Sequence, residues 1–426
     1  MKDKSPLILI GILFFIFGFV TWLNSTLVPF LRIACELTHF ESYLVTFAFY
    51  IAYVIFGLPS GKIITRVGYS RSMTIGLSVM AVGAAFFVPA AYTRFYLFFL
   101  IGLFLMGAGL TLLQTAANPY AAVLGSPETA ARRISLMGIC NKFAGVLAPL
   151  ILGTIVLGDT GYITSQIDTL AVGDPLRDAL LTELSRRCIL PYCFIVLFLF
   201  VLAGFVHFSP LPDLRPSEES DTPASSRIAA PRFWLGVVAL FFYVGVEVIG
   251  MDSLIGYAMS HGMEASSAKI FPALSMVAFM VGYLIGIAGI PRLFSQKTAL
   301  ILSALASMAV MTAAILTPGI ASVYVLVFLG LTHAMIWPAV WGLALDGLGK
   351  SISTGSSLLV MAVVGGALLP LLFGMLIDRI GHQAAYWMTL PCYAVILLYA
   401  VAVKRRSANG GVRKTQKKML LLKFRV

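Results

Sequence analysis

The sequence predicts an all-α integral membrane protein with twelve transmembrane helices in two six-helix halves. Three observations carry that expectation. Of 426 residues, 59% are hydrophobic and only 11% charged, with a mean hydropathy of +0.95, which is more apolar surface than a water-soluble core can bury. Apolar runs of about twenty residues or more, each long enough to cross a bilayer, recur twelve times. The longest polar interruption on one side of the expected membrane divides those runs six and six.

The first run, 7–34, is too long for a signal-peptide core and lacks a cleavage site, so it is expected to remain as a helix. The runs 41–65, 71–92, 95–123, 131–157 and 188–208 complete the first half. The runs 232–258, 267–290, 297–317, 319–346, 352–377 and 383–403 form the second. Glycine and proline inside them are ordinary for membrane helices, where neighbouring helices re-satisfy the freed backbone groups. The expected organisation is therefore 1–208, a linker at 209–231, 232–403, and a basic tail at 404–426. The linker region from Ser209 to Arg232 holds five prolines together with Ser217, Glu218, Glu219, Ser220 and Asp221, the composition of a flexible connection.

With the N-terminus inside, 22 lysines and arginines fall on one side of the membrane and seven on the other. That asymmetry predicts two cytoplasmic termini and a bacterial-type cytoplasmic membrane location. The net charge of +12 does not imply nucleic acid, because nine basic residues stand between Lys404 and Arg425 with no acid among them, the pattern of a tail at an anionic leaflet. The largest external loop, 158–187, is acidic and placed where it could cap the external mouth. The expected partners are the bilayer and a small solute, with the chain a monomer.

Five cysteines, an odd number without CxxC spacing, indicate neither a disulfide framework nor a metal site and read as packing residues. Gly349-Lys350-Ser351 ends like a phosphate-binding loop, but the glycine required five positions before Gly349 is Ala344. The five histidines are scattered over different segments, and no catalytic motif appears, so neither an enzyme nor a bound cofactor is expected.

Charges inside the apolar runs are the strongest functional signal. Lys142 lies in the fifth run, and Glu247 and Asp252 lie in the seventh. An ionisable group at bilayer depth costs several kcal/mol unless it faces a wet cavity or a partner, so it marks a solute or ion path. Glu247 and Asp252 are five apart, about 140° around an ideal helix, and cannot point the same way unless the helix breaks near Gly245 or Gly250. A lysine beside such a carboxylate keeps it ionised, stands in for a bound cation, or neutralises it across the halves. Asp346 and Asp378 lie near helix ends, where solvated charge or a gate contact is the ordinary reading.

Polar side chains at similar depth suggest the solute. Gln114 and Asn118 are four residues apart and share a helix face. Amides donate to and accept from hydroxyls at once, which suits a sugar, although bonding between neighbouring helices is an equal alternative. Trp22-Leu23-Asn24-Ser25-Thr26 adds another amide, and His333, Trp337 and Trp341 follow at spacings of four. Aromatic faces beside amides pack the C–H face of a pyranose, with Trp337 the better placed of the two tryptophans. Asn24, Gln114, Asn118, His333 and Trp337 are thus the candidate sugar residues, and Lys142, Glu247 and Asp252 the candidate coupling residues.

The loop after the second run, Gly61-Lys62-Ile63-Ile64-Thr65-Arg66-Val67-Gly68-Tyr69-Ser70-Arg71, resembles the signature loop of the major facilitator superfamily, Gly-x-x-x-Asp-Arg-x-Gly-x-x-Arg/Lys. Thr65 stands where the aspartate belongs, leaving Gly61, Arg66, Gly68 and Arg71 as its gating residues. Leu23-Asn24, Gln114-Thr115-Ala116-Ala117-Asn118-Pro119, Phe242-Tyr243-Val244-Gly245-Val246-Glu247-Val248 and Val364-Gly365-Gly366-Ala367 together resemble the fucose/glucose-galactose permease family. The resemblance implies cation-coupled sugar import by alternating access, with a proton or sodium as the coupling ion. The acids that couple transport in fucose permease align with Ser25 and Gln114, neither of which carries a proton here; the glucose-galactose branch shares the glutamine. Coupling is then left to Glu247, Asp252 and Lys142. The alternatives are an uncoupled facilitator or an exporter of the same fold, and, from another class, a membrane sugar sensor.

Overall fold

The computed structural model describes residues 5–123, 130–158, 160–209, 231–290, 293–346 and 352–403. Among the described residues, twelve helices are long and apolar enough to cross a membrane: Ile8–Ala34, His39–Val67, Tyr69–Thr93, Tyr96–Ala117, Met137–Val156, Pro175–Phe208, Pro231–Asp252, Ala265–Gly289, Gln296–Leu316, Ala321–Leu345, Ser357–Ile380 and His382–Ala402. They are called spans 1 to 12 in that order. In hydrocarbon every backbone N–H and C=O must be satisfied within its own segment, so uniformly apolar runs of this length become helices. Polar punctuation sets their ends. Thr38 caps span 2 with its side chain accepting from the Glu41 N–H at 3.1 Å, while Glu41 accepts from the Thr38 N–H at 2.9 Å. The linker at 210–230 and the tail at 404–426 lie outside the described residues.

Close helix approach is made by glycine, and it repeats at an interval of six spans. A Cβ on Gly18 of span 1 would stand 1.9 Å from the Asn141 carbonyl oxygen of span 5, and one on Gly365 of span 11 would stand 1.8 Å from that of Phe241 on span 7. Gly107 of span 4 meets the Phe49 oxygen of span 2 at 2.1 Å, and Gly330 of span 10 meets the Ser275 oxygen of span 8 at 2.0 Å. The pair of spans 1 and 5 therefore packs closely as the pair 7 and 11 does, with the glycine on the opposite partner, and spans 2 and 4 as 8 and 10 do, the arrangement of an internal structural repeat. The two sets of six meet where span 2 packs on span 11 and span 5 on span 8. With a six-span offset these are one and the same contact seen from either side.

Several spans are interrupted. Span 1 breaks between Trp22 and Asn24, and span 10 between His333 and Ile336. Span 7 breaks at Ser253, with a further helix at Leu254–Ser260. The interruption lies three residues beyond Gly250, and Ser253 itself keeps right-handed helical dihedrals. Gly245 stays helical and admits span 11, since a Cβ there would stand 2.2 Å from Leu369 Cδ1.

The acidic segment expected to be external forms two short helices, Thr160–Asp168 and Pro175–Arg186, the second being the start of span 6. Arg177 ties them together through the carbonyls of Ile167 (2.8 Å) and Leu170 (2.9 Å) and anchors them to Glu36 at 2.7 Å. Arg94 adds contacts to Asp178 and, at 3.8 Å, to Glu36. The pair is thus fixed to the turn between spans 1 and 2. All five cysteines are free. Cys35, in that same turn, has its thiol pushed up to about 11 by burial and stays protonated.

Candidate functional site

Lys142 and Glu247 meet across the junction of the two sets of spans, with Nζ 3.0 Å from Oε1. Lys142 is 6% exposed and Glu247 8%, so neither faces lipid broadly. Two rings enclose the ammonium, Phe279 of span 8 with its centroid at 3.8 Å and Trp22 of span 1 at 4.5 Å. Four spans, 1, 5, 7 and 8, thereby converge on one charge. Burying such a pair is costly unless partners replace the lost water, and here a carboxylate and two aromatic faces surround the lysine nitrogen. Asn141, next in sequence, turns away and donates to the Phe14 carbonyl at 3.3 Å.

Asp252 takes a different direction. It is 2% exposed and accepts from the Thr46 hydroxyl of span 2 at 3.0 Å. The two carboxylates of span 7 thus diverge, as their five-residue spacing requires, onto spans 5 and 2.

The amides and rings picked out as sugar residues are distributed around this junction. Gln114 accepts from Tyr53 OH at 3.2 Å through its carbonyl oxygen, which leaves its NH2 group for another partner. Asn24 begins the second segment of span 1, is 1% exposed, and neither amide atom has a hydrogen-bond partner among the described residues. A buried primary amide left so is costly unless something outside the chain meets it. Asn118 falls within the helix Tyr96–Val123, but its side chain lies outside the described residues. Trp337 is half-buried, 6.4 Å from the Tyr243 ring and 5.6 Å from that of Trp341. His333 is fully buried; its Nε2 meets Tyr393 OH at 2.9 Å and its carbonyl accepts from Tyr243 OH at 3.3 Å. These partners of His333 all belong to the last six spans.

In the loop after span 2, Gly68 ends the helix with φ +85, a conformation that favours glycine. Arg66 and Arg71 are exposed, and a Cβ on Gly61 would meet nothing within 4 Å. Thr65, in the aspartate's place, donates to the Lys62 carbonyl of its own helix at 2.9 Å. Among the described residues no group of three or more His, Cys, Asp or Glu is placed to hold a metal.

One cluster was not singled out by the sequence. On the face that carries Glu36, both oxygens of Asp378, near the end of span 11, accept from the N-terminus of span 2: His39 N–H at 3.0 Å and Phe40 N–H at 2.8 Å. An acid there completes two orphan donors and meets the positive end of the helix dipole. The His39 ring lies edge-on to His382 of span 12, centroids 4.5 Å apart, and Arg32 Nη1 is 3.0 Å from His39 Nδ1. A cavity of about 370 Å³ lined by Arg32, Glu36, His39, Arg177 and Asp378 opens above this latch. The signal available in sequence was only a carboxylate beside Arg379 at a helix end.

Comparison with known proteins follows the same outline. The family model described as Major Facilitator Superfamily matches residues 10–364. The chain is 34% identical over 395 residues to a glucose/galactose transporter of Brucella abortus, covering 92% of each chain. It is 30% identical over 409 residues to the L-fucose-proton symporter of Escherichia coli, covering 93% of this chain and 92% of that one. The crystal structure of FucP, a Major Facilitator Superfamily transporter in the outward conformation, superposes with a TM-score of 0.70 at 29% identity, over 94% of this chain and 99% of that chain.

Proposed function

Because the chain belongs to the Major Facilitator Superfamily and, within it, to the family of the glucose/galactose transporters, we propose that it carries a hexose-type sugar across the cytoplasmic membrane by alternating access. The observation that bears most weight is the Lys142–Glu247 pair, 3.0 Å apart and shared between the two sets of six spans. A rocking motion of one set against the other changes which side's water reaches this pair, so the surroundings of Glu247 follow which side is open. Import coupled to an ion gradient is the reading this favours, with Glu247 the group whose charge is regulated. Kinship to an L-fucose-proton symporter supports the same direction.

Sugar recognition is assigned to Asn24, Gln114, Asn118 and Trp337. The Asn24 amide, without a partner among the described residues, and the Gln114 amide, held by Tyr53 through its oxygen, support that assignment, since both groups can exchange hydrogen bonds with hydroxyls. His333 serves structure in this account, holding spans 7, 10 and 12 together. The charge asymmetry of the loops supports cytoplasmic termini, which makes the Glu36 face external. Asp378 on the N-terminus of span 2 is then an external gate in its closed position.

The test is uptake of labelled glucose, galactose and fucose into proteoliposomes with and without imposed gradients. Gradient-driven accumulation of at least one of them is expected. Binding without flux would favour a sensor, and equilibration without accumulation an uncoupled facilitator.

A further inference from the structure

The groups around Lys142 form more than an ion pair. The Glu247 carboxylate at 3.0 Å supplies charge, while the faces of Phe279 at 3.8 Å and Trp22 at 4.5 Å supply the electron-rich surfaces that attract an ammonium ion. These three come from spans 7, 8 and 1, and the ammonium reaches them from span 5. The placement of Trp22 is built in. Gly145, three residues beyond Lys142, makes room for it, because a Cβ there would stand 2.7 Å from Trp22 Cδ1 and 3.1 Å from Met276 Sδ. Sodium binds through a shell of hard oxygen ligands. Among the described residues the ammonium itself meets one carboxylate oxygen and two rings, with the Tyr243 hydroxyl beside Glu247, and a sodium ion beside Glu247 would also confront the positive charge of Lys142.

We propose that Trp22, Glu247 and Phe279 form a monovalent-cation site permanently filled by the chain's own Lys142 ammonium, so that sugar moves without sodium and a free alkylammonium ion takes the site once the lysine side chain is removed. The sodium clause rests on the sugar-transport reading, while the cage itself does not.

Two arms keep the two claims apart. In the first, purified full-length protein is unfolded thermally in sodium chloride, choline chloride, methylammonium chloride or n-butylammonium chloride. Lys142→Ala is expected to melt below wild type and to be raised by millimolar n-butylammonium but not by equal sodium, as ligand linkage requires. Wild type, Lys142→Met (whose apolar chain fills the cage) and Lys142→Ala/Glu247→Gln are expected not to respond. Stabilisation of Lys142→Ala by sodium as strongly as by butylammonium, or by neither, overturns the cage. So does an equal butylammonium response in the double variant. If Lys142→Ala does not fold alone, a folded fraction recovered by extraction in butylammonium supports the cage, and none recovered counts against it.

In the second arm, sugar counterflow by wild type is expected to agree within two-fold between sodium and choline, and counterflow by Lys142→Ala to be lost and to return at least ten-fold with butylammonium. Sodium-dependent counterflow by wild type overturns the inference. Absence of flux for every sugar overturns the transport reading and leaves the thermal arm to decide the cage.

Discussion

Glu247 and Asp252 stand five residues apart on span 7 and grip two different helices of the first set, Glu247 the Lys142 ammonium of span 5 and Asp252 the Thr46 hydroxyl of span 2. Span 7 is therefore bonded to both helices that form the junction on the opposite side. Of the two contacts, the first joins full charges, and its removal has the more distinctive consequences.

Taking one partner away from a buried pair leaves the other uncompensated, which costs about 3–5 kcal/mol, whereas replacing both by apolar groups is often neutral or stabilising. Lys142→Met alone is accordingly expected to lower the melting temperature clearly. Lys142→Met/Glu247→Leu is expected to recover most of that loss while remaining unable to accumulate sugar. Differential scanning fluorimetry of both variants checks this, and a double variant no more stable than the single one would argue that the pair is not energetically linked.

The Asp378 latch makes a prediction that needs no substrate. Its carboxylate receives the N–H groups of His39 and Phe40, and hydrogen bonds to a charged group are worth roughly 1.5–3 kcal/mol each. Asp378→Ala should therefore speed hydrogen exchange over the first turn of span 2 by about ten-fold or more, with little change at span 9. Unchanged exchange at residues 39–41 would show that the latch does not hold the gate shut.

Gln114 accepts from Tyr53 through its carbonyl oxygen, and its NH2 group makes no hydrogen bond among the described residues. If that group donates to a sugar hydroxyl, Gln114→Ala should raise KM by about five- to twenty-fold, corresponding to a hydrogen bond of roughly 1–2 kcal/mol. Tyr53→Phe should have a smaller effect, because it removes only the group that orients the amide. Equal KM values for wild type and Gln114→Ala would remove Gln114 from the sugar site.

Helix contact through glycine carries a paired expectation. Gly18→Ala and Gly365→Ala each place a methyl group within 2 Å of a carbonyl oxygen on a neighbouring span. Overpacking of this kind typically costs about 1–3 kcal/mol. Both should lower thermal stability by similar amounts if the six-span repeat is real. A large loss from one and none from the other would speak against equivalent packing.

The membrane fold was legible because lipid leaves the backbone few options: run length and composition fix the helices. Lys142 and Glu247 were legible for a related reason, since charge in hydrocarbon is too expensive to be incidental. Their mutual contact was not, because it joins residues 105 apart in sequence and depends on how spans 5 and 7 pack. Trp22 was marked only as the neighbour of Asn24, and Phe279 carries no distinguishing mark among 30 phenylalanines. Asp378 looked like an ordinary helix-end charge because its partners are backbone N–H groups, which no side-chain pattern reveals. The interruption of span 7 falls at Ser253, three residues beyond Gly250, the glycine that marked its neighbourhood in the sequence.

The measurement closest to the central claim is concentrative sugar uptake by Glu247→Gln beside wild type in the same proteoliposomes. The glutamine keeps the shape and the hydrogen-bonding capacity toward Lys142 while removing the charge. Counterflow of labelled sugar should persist within a few-fold, and accumulation against a gradient should vanish. Normal accumulation by Glu247→Gln would contradict the assignment of Glu247 as the group whose charge drives transport.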